Sequence, residues 1–176
     1  MVEPLFRAMI SSDWNQCLAP CGPFDPLVHA YPDCASELTT LFNAYTANAI
    51  SLSQVTAHVA RMLPGPLSAQ QMDAYLDAEF SIYDGVVELI QWCQAHHILF
   101  MINSSGMTAY FQRVFAKGLL PQVPVLASSP IMRYPKRGSD PSMILDLTEL
   151  DQKGAHTAHA MQVCKLTAKQ CIIMGD

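Results

Sequence analysis

Polar side chains suited to metal and anion binding follow three apolar segments of the sequence. Five residues share this position, and they are Asp13, Asn15, Ser104, Ser105 and Asp176. In an open parallel α/β sheet, ligands bind at the carboxyl ends of the strands, where helix N-termini present backbone amides to anions. If the three segments are parallel strands, these side chains converge on one crevice.

The chemistry of these residues predicts what such a crevice would bind. Asp13 and Asp176 are suited to a hard cation such as Mg²⁺, which prefers oxygen ligands and keeps water and phosphate oxygens in its shell. The hydroxyl of Ser104 and the ammonium of Lys153 would balance the charge of a phosphate group. Ordinary structural roles remain open, because Asp and Ser often cap the helix after a strand and lysines are common on surfaces.

Four continuous apolar runs have the pattern of buried parallel strands, which carry helices on both faces of their sheet. These runs are 5–12, 98–103, 123–127 and 171–174. Apolar residues at helical spacing lie between them in 85–96 and 108–117. The alternation predicts an α/β fold with a Rossmann-like, doubly wound parallel sheet.

The stretch after the first strand is too long for a simple crossover. It contains three segments with helical periodicity, which are 35–49, 53–62 and 68–80. We therefore expect an inserted α-helical cap at 19–82, with 1–18 and 83–176 forming the Rossmann-like core. The polar, proline-bearing segment 128–140 predicts a surface loop or a short hairpin.

The composition favours a compact protein with a small-molecule ligand. The 176 residues are 51% hydrophobic, enough for one domain, or a core with a small insertion. The net charge of −5 argues against nucleic acid, since a phosphate backbone requires clustered Lys and Arg. No apolar run reaches the roughly 20 residues that span a membrane, and no secretory signal is evident, so we expect a cytoplasmic location. The six scattered cysteines predict reduced thiols, and the oligomeric state stays open.

Four short motifs follow one another along nearly the whole chain. They are a strand leading into Asp13-Trp14-Asn15, a strand ending in Ser104-Ser105-Gly106-Met107, Lys153 before a helix, and a strand ending in Gly175-Asp176. In this order, with a helical insert after the first motif, the chain resembles the haloacid dehalogenase superfamily. It is most similar to the branch that includes phosphoserine phosphatase and the methylthiopentenyl-phosphate phosphatase of methionine salvage. The resemblance implies a small phosphorylated metabolite as substrate.

The resemblance also implies a Mg²⁺-dependent phosphatase that works through an aspartyl-phosphate intermediate. Asp13 would attack phosphorus, and Mg²⁺ would be held by Asp13, the backbone carbonyl of Asn15 and Asp176. The residues that would hold the phosphoryl group are Ser104, Ser105, Gly106 and Lys153. Such covalent catalysis divides one difficult displacement into two easier ones.

Position 15 departs from the pattern of that family. The family has a second carboxylate here, which protonates the leaving group and later activates water, whereas this chain has Asn15. An amide cannot carry that proton, and an acid–base contribution of roughly 10² to 10⁴ in rate is at risk. The alternative prediction is therefore a catalytically impaired protein that binds a phosphorylated ligand or a protein partner. A remoter one is an enzyme whose leaving group needs no proton.

The end of the sequence departs from the pattern as well. The family continues after the fourth motif with another acidic residue, a further strand and helices. We therefore expect the C-terminal part of the core to be missing, which would place the last strand at or near an exposed edge.

Arg61 is the only Lys or Arg between Arg7 and Arg113, and it lies on a helical pattern of the predicted cap. Either it contacts a carboxylate of the substrate, or it extends along the surface and pairs with an acid there. Both interpretations are open at the level of sequence.

Overall fold

A parallel five-stranded sheet forms the centre of the computed structural model, which describes residues 5–175. The strands are β1 (Ala8–Ser12), β2 (Ile98–Met107), β3 (Val125–Ser129), β4 (Met143–Asp146) and β5 (Cys171–Met174). They lie in the order β4-β3-β2-β1-β5, and all neighbours are parallel. The prediction of a Rossmann-like α/β sheet is confirmed.

Seven α-helices and two short 3₁₀ helices accompany these strands in the described residues. The α-helices are α1 (Asp25–Ala30), α2 (Ala35–Thr46), α3 (Leu52–Met62), α4 (Ala69–Glu79), α5 (Val86–Ala95), α6 (Thr108–Ala116) and α7 (Gln152–Val163). The 3₁₀ helices are Pro32–Cys34 and Ala168–Gln170. Helices α3 and α4 begin at capping boxes, formed by Ser51 with Gln54 and by Ser68 with Gln71. These caps satisfy backbone N–H groups of the first turn, which fixes where each helix starts.

The two faces of the sheet are buried in two hydrophobic clusters. Alternate residues of a strand point to opposite faces, so Ile10 joins one cluster and Met9 the other. The larger cluster also contains Trp14, Leu27 and Tyr75, which lets the inserted helices share one core with the sheet. The division of the chain into a core domain and a cap domain remains a prediction.

Charged contacts tie the inserted helix α4 to α6 of the sheet region. Arg113 donates from Nε and Nη2 to the two carboxylate oxygens of Asp73, at 2.7 and 2.8 Å. One turn further along both helices, Lys117 pairs with Asp77 at 2.8 Å. Bidentate Arg–carboxylate pairs fix orientation as well as distance, so α4 is held at a defined angle over α6.

Strand β4 differs from the sequence-based expectation. Only 130–140 of the predicted loop 128–140 is irregular, since β3 extends to Ser129 and β4 follows at Met143–Asp146. The strand pairs with β3 through Val125 opposite Met143. Its four residues form a short, partly exposed edge strand, which gives little of the apolar periodicity that predicts strands.

The opposite edge of the sheet is apolar. On β5, Ile172 and Ile173 are 60% and 75% exposed. Exposed apolar edge strands are sites of association between chains. Within the described residues no helix combines the length and apolar character needed to cross a bilayer.

Candidate functional site

The carboxylate of Asp13 lies at the carboxyl end of β1, as the sequence predicts. Its backbone N–H donates to the carbonyl of Met174 on β5 at 2.9 Å. Its Oδ1 accepts a hydrogen bond from the backbone N–H of Trp14 at 2.7 Å, and its Oδ2 lies 2.5 Å from Nζ of Lys153. The two side chains are 20% and 28% exposed, so this ion pair borders solvent and is accessible to a ligand.

A buried hydrogen-bond network positions Lys153 next to Asp13. The Asn103 amide donates to the backbone carbonyl of Lys153 at 2.9 Å and to Oγ1 of Thr157 at 3.1 Å. The Ser11 hydroxyl lies 2.9 Å from the same Oγ1. The network therefore fastens the first turns of α7 to β1 and β2.

Ser11, Asn103 and Thr157 were not among the predicted site residues. Thr157 lies four residues after Lys153, on the same face of α7, and Asn103 is the polar residue that ends the apolar run before Ser104. Both are sequence signals that could have found the network.

Gly175 shows why a glycine follows β5. Its φ is +137°, in the region that favours glycine, and a Cβ at this position would lie 3.0 Å from Cβ of Asp13. Any other residue would therefore press on Cβ of Asp13, the residue at the centre of the site. Asp176, predicted as a metal ligand, lies outside the described residues.

The side chain of Asn15 is held by the loop that follows it. Its Nδ2 donates to the carbonyl of Cys21 at 3.0 Å, and its Oδ1 lies 3.4 Å from Oγ of Ser104. Burial raises the pKa of the Cys21 thiol, so the group beside the amide is neutral. Asn15 therefore acts as a hydrogen-bond donor within its own loop, a role that a carboxylate cannot take.

The residues from Ser104 to Gly106 form an irregular segment near the end of β2. Ser104 is fully buried, and its Oγ accepts the backbone N–H of Gly106 at 3.0 Å. A Cβ on Gly106 would lie 3.2 Å from that oxygen, which explains a small residue here. The pairing of β2 with β3 shifts register between Asn103 and Met107, so this segment interrupts the regular ladder.

The structure brings four of the predicted site residues into two linked pairs. Lys153 pairs with Asp13, and Ser104 lies beside Asn15. Arg61 is exposed in the last turn of α3 and makes no hydrogen bond or ion pair with the described residues of the predicted site. Its predicted contact with the substrate remains untested.

Oxygen donors suited to Mg²⁺ are present, although few. The Asp13 carboxylate is a hard ligand, and the Asn15 carbonyl accepts no backbone hydrogen bond from the described residues. Within residues 5–175 no three His, Cys, Asp or Glu side chains are grouped as a metal site. Mg²⁺ often binds one or two carboxylates plus water and phosphate oxygens, so the two donors are compatible with it.

Comparison with known proteins reveals similarity at the level of structure. No protein-family model matches the chain, and a search of curated proteins found no match. A HAD-family hydrolase from Salmonella enterica serovar Typhi superposes with a TM-score of 0.70 and 14% identity, covering 94% of this chain and 54% of that one. A phosphoserine phosphatase, solved as a phospho-aspartyl intermediate analogue, gives a TM-score of 0.69 and 11% identity, covering 96% of this chain and 77% of that one.

A probable phosphoserine phosphatase from Vibrio cholerae gives a TM-score of 0.61 and 12% identity, covering 94% of this chain and 49% of that one. The chain thus spans about half the length of the first and third of these proteins, and about three quarters of the second. At these identities the likeness is one of fold, and it extends over nearly all of this chain. The chain has the same fold as this HAD-family hydrolase and these two phosphoserine phosphatases.

Proposed function

We propose that this protein is a Mg²⁺-dependent phosphatase that hydrolyses small phosphate monoesters through an aspartyl-phosphate at Asp13. The observation that carries the proposal is the ion pair between Asp13 and Lys153 at the carboxyl end of β1. An accessible carboxylate beside a fixed ammonium group provides a nucleophile and a phosphate-binding charge in one place. Ligands bind at this edge of an open α/β sheet.

In the proposed reaction, an oxygen of Asp13 attacks phosphorus, the ester P–O bond breaks, and the departing alkoxide or aryloxide takes its proton from solvent. Lys153 holds a phosphoryl oxygen and offsets the charge that develops in the transition state. Ser104 and Ser105 hold the remaining phosphoryl oxygens. Mg²⁺ held by the Asp13 carboxylate, the Asn15 carbonyl and Asp176 would supply further positive charge. Water then attacks phosphorus, which releases phosphate and restores Asp13.

The size of the substrate is proposed from the pocket at the site. Asp13 and Lys153 line a pocket of about 130 Å³ together with residues of β5 and α7. This volume is below the roughly 300–1,000 Å³ of sites for drug-sized ligands. It supports a small phosphorylated metabolite as the substrate.

A second candidate function is the binding of a phosphorylated ligand or a protein partner without turnover. It is favoured by Asn15, whose amide donates to the Cys21 carbonyl and cannot transfer a proton to a leaving group. A phosphatase that keeps Asn15, by contrast, would turn over best those esters whose leaving group departs as a stable anion.

Release of inorganic phosphate from a panel of small phosphate esters, with and without Mg²⁺, tests the proposal. Turnover should require Mg²⁺ and be lost in Asp13→Asn. A suitable control is Asp151→Asn, because this exposed carboxylate lies just before α7 and makes no hydrogen bond to Asp13. Activity that survives in Asp13→Asn would exclude Asp13 as the nucleophile, and saturable phosphate binding without turnover would favour the second candidate.

A further inference from the structure

A cavity of about 470 Å³ is lined by helices α1 and α4 and by the segments that join the inserted helices to the sheet region. Sites for small molecules typically have volumes of roughly 300–1,000 Å³. No residue lines both this cavity, called here the α1–α4 cavity, and the pocket that holds Asp13 and Lys153. The α1–α4 cavity is therefore separate from the candidate site, and the proposed phosphatase chemistry leaves it without a role.

One face of each helix forms the wall of the α1–α4 cavity. Asp25, Val28 and His29 have the spacing of one face of α1, and Tyr75 and Glu79 lie one turn apart on α4. The two helices also pack against each other. Most of the side chains that a ligand would meet are thus held at fixed positions by helical backbone.

Negative charge is in excess in the α1–α4 cavity. The carboxylates of Asp25 and Glu79 line it, and no Lys or Arg among the described residues does. Asp25 accepts the backbone N–H of Gly22 through one of its two carboxylate oxygens, at 2.6 Å. The other acids of α4, Asp73 and Asp77, each form an ion pair with a basic side chain, whereas Glu79 forms none within the part of the chain that the structure describes. Glu79 also ends α4, where the helix dipole disfavours negative charge, so a cation in the cavity would be stabilised.

Tyr75 adds a buried polar group to the same cavity. Only 3% of Tyr75 is exposed, and its ring packs against the rings of His29 and Tyr110, at centroid distances of 5.6 and 6.4 Å. Its hydroxyl makes no hydrogen bond with the described residues. Burial raises the pKa of Tyr75, and nearby negative charge, including that of Asp25 and Glu79, raises it further, so the hydroxyl is uncharged at neutral pH. A buried hydroxyl is costly to leave unpaired, and this one depends on an occupant of the cavity for a partner.

We propose that the α1–α4 cavity binds a small aliphatic amine, with its ammonium group held by the Asp25 and Glu79 carboxylates and the Tyr75 hydroxyl. An ammonium group has three N–H donors and no acceptor, which matches two carboxylates and one hydroxyl oxygen. The aliphatic chain covers the apolar wall formed by Val28 and the Tyr75 ring. The proposal is independent of the ester chemistry at Asp13.

An organic cation suits the α1–α4 cavity better than a metal ion does. Within residues 5–175 no three His, Cys, Asp or Glu side chains are grouped closely enough to hold a metal. The cavity is also far larger than a single ion requires. An occupant with both a charged end and an apolar part satisfies the carboxylates and fills the remaining space.

Titration of the isotope-labelled full chain with butylamine, followed by NMR, tests the proposal. Butanol is the control ligand, because it has the same chain length without the charge. We expect butylamine to cause saturable shifts of backbone amides in α1 and α4, with a dissociation constant in the millimolar range that is ordinary for so small a ligand. Butanol should cause no such shifts.

Two substitutions test the groups assigned to the ammonium. Tyr75→Phe removes only the hydroxyl and should raise the dissociation constant for butylamine about 10-fold, as expected for a hydrogen bond to a charged group. Glu79→Gln keeps the shape of the side chain and should raise the constant about 3-fold, because solvent screens an exposed carboxylate. The matched control is Asp77→Asn, which removes the same charge from α4 at a residue that does not line the cavity. It should leave the constant unchanged.

Thermal unfolding of the ligand-free variants separates a lost contact from a lost fold. Tyr75→Phe should unfold at the temperature of the parent, and a clear fall would overturn the proposal, because the hydroxyl would then have a partner in the protein. Shifts with butanol as large as those with butylamine, or no shifts with butylamine, would also overturn it. So would equal weakening by Glu79→Gln and Asp77→Asn, since net charge alone would then explain the effect.

Discussion

Replacing Asn15 by Asp should change stability and activity in opposite directions. The Asn15 amide donates to the Cys21 carbonyl at 3.0 Å, and a carboxylate would place two acceptors against each other. Loss of the hydrogen bond, with a carbonyl left unpaired, should lower the free energy of unfolding by about 1–3 kcal/mol. The same carboxylate would restore a group able to donate and accept the proton of the leaving group, which should raise turnover by about 10²- to 10⁴-fold.

The gain should depend on the leaving group. An alkyl phosphate needs a proton on its departing oxygen and should show the full increase, whereas an aryl phosphate with an acidic phenol should show little increase in the first step. Urea unfolding and steady-state kinetics on both substrates measure the two effects. Asn15→Ala provides the control for the lost hydrogen bond, since it should be destabilised without gaining activity.

Gln91→Glu provides the control for the added charge, because Gln91 is exposed in the middle of α5. It should leave both stability and turnover unchanged. An Asn15→Asp protein as stable as the parent would refute the role assigned to the amide. Equal turnover of the alkyl ester by the two proteins would refute the view that the missing carboxylate limits the reaction.

Three further substitutions test the elements around the site. Thr157→Val should lower the free energy of unfolding by about 1–3 kcal/mol and reduce turnover, because Ser11 and Asn103 lose a buried partner. Thr157→Ser keeps the hydroxyl, so unfolding and kinetic assays should show that it retains most of the stability and most of the turnover. Asp73→Asn should destabilise the protein by about 1 kcal/mol in urea unfolding, since the raised pKa of Arg113 reflects its hydrogen bonds to the Asp73 carboxylate. An unchanged midpoint of urea unfolding would contradict a stabilising role for the pair of Arg113 and Asp73. Hydrogen bonds from Ser53, and from the backbone N–H of Leu52, lower the pKa of Glu149 below its ordinary value of 4.5. The Glu149 carboxylate therefore stabilises the folded state fully above about pH 4.5, and this stabilisation is lost as the pH falls through the lowered pKa. Thermal unfolding of Glu149→Gln should accordingly show a weaker dependence on pH in that acidic range than the parent, and parallel curves would count against the contact.

The arrangement of the sheet follows from the sequence because its central strands are continuous apolar runs. Segments such as 5–12 and 98–103 can be interpreted without knowledge of their partners, since both faces of a parallel sheet are covered by helices. The proximity of Asp13 and Lys153 was predicted through the family resemblance and is observed as an ion pair. The apolar run of β4 covers only 143–145, which is shorter than the four or more residues from which a buried strand is predicted.

The partners within the polar network are harder to predict for a different reason. Helical spacing places Lys153 and Thr157 on one face of α7, but it does not say what they contact. The Asn103 amide reaches the Lys153 carbonyl across 50 positions of sequence. Contacts of this kind depend on tertiary packing, which hydrophobic periodicity does not encode.

The most direct test of the central claim is to look for a phosphoryl group on Asp13. The chain is incubated with Mg²⁺ and an aryl phosphate, quenched in acid, and the modified peptide is located by mass spectrometry. Because Asn15 cannot activate water for the second step, the aspartyl-phosphate should accumulate on Asp13, be removed by hydroxylamine, and be absent from Asp13→Asn. A chain that binds and cleaves the ester while carrying no phosphoryl group, or carrying it on another residue, would contradict the account.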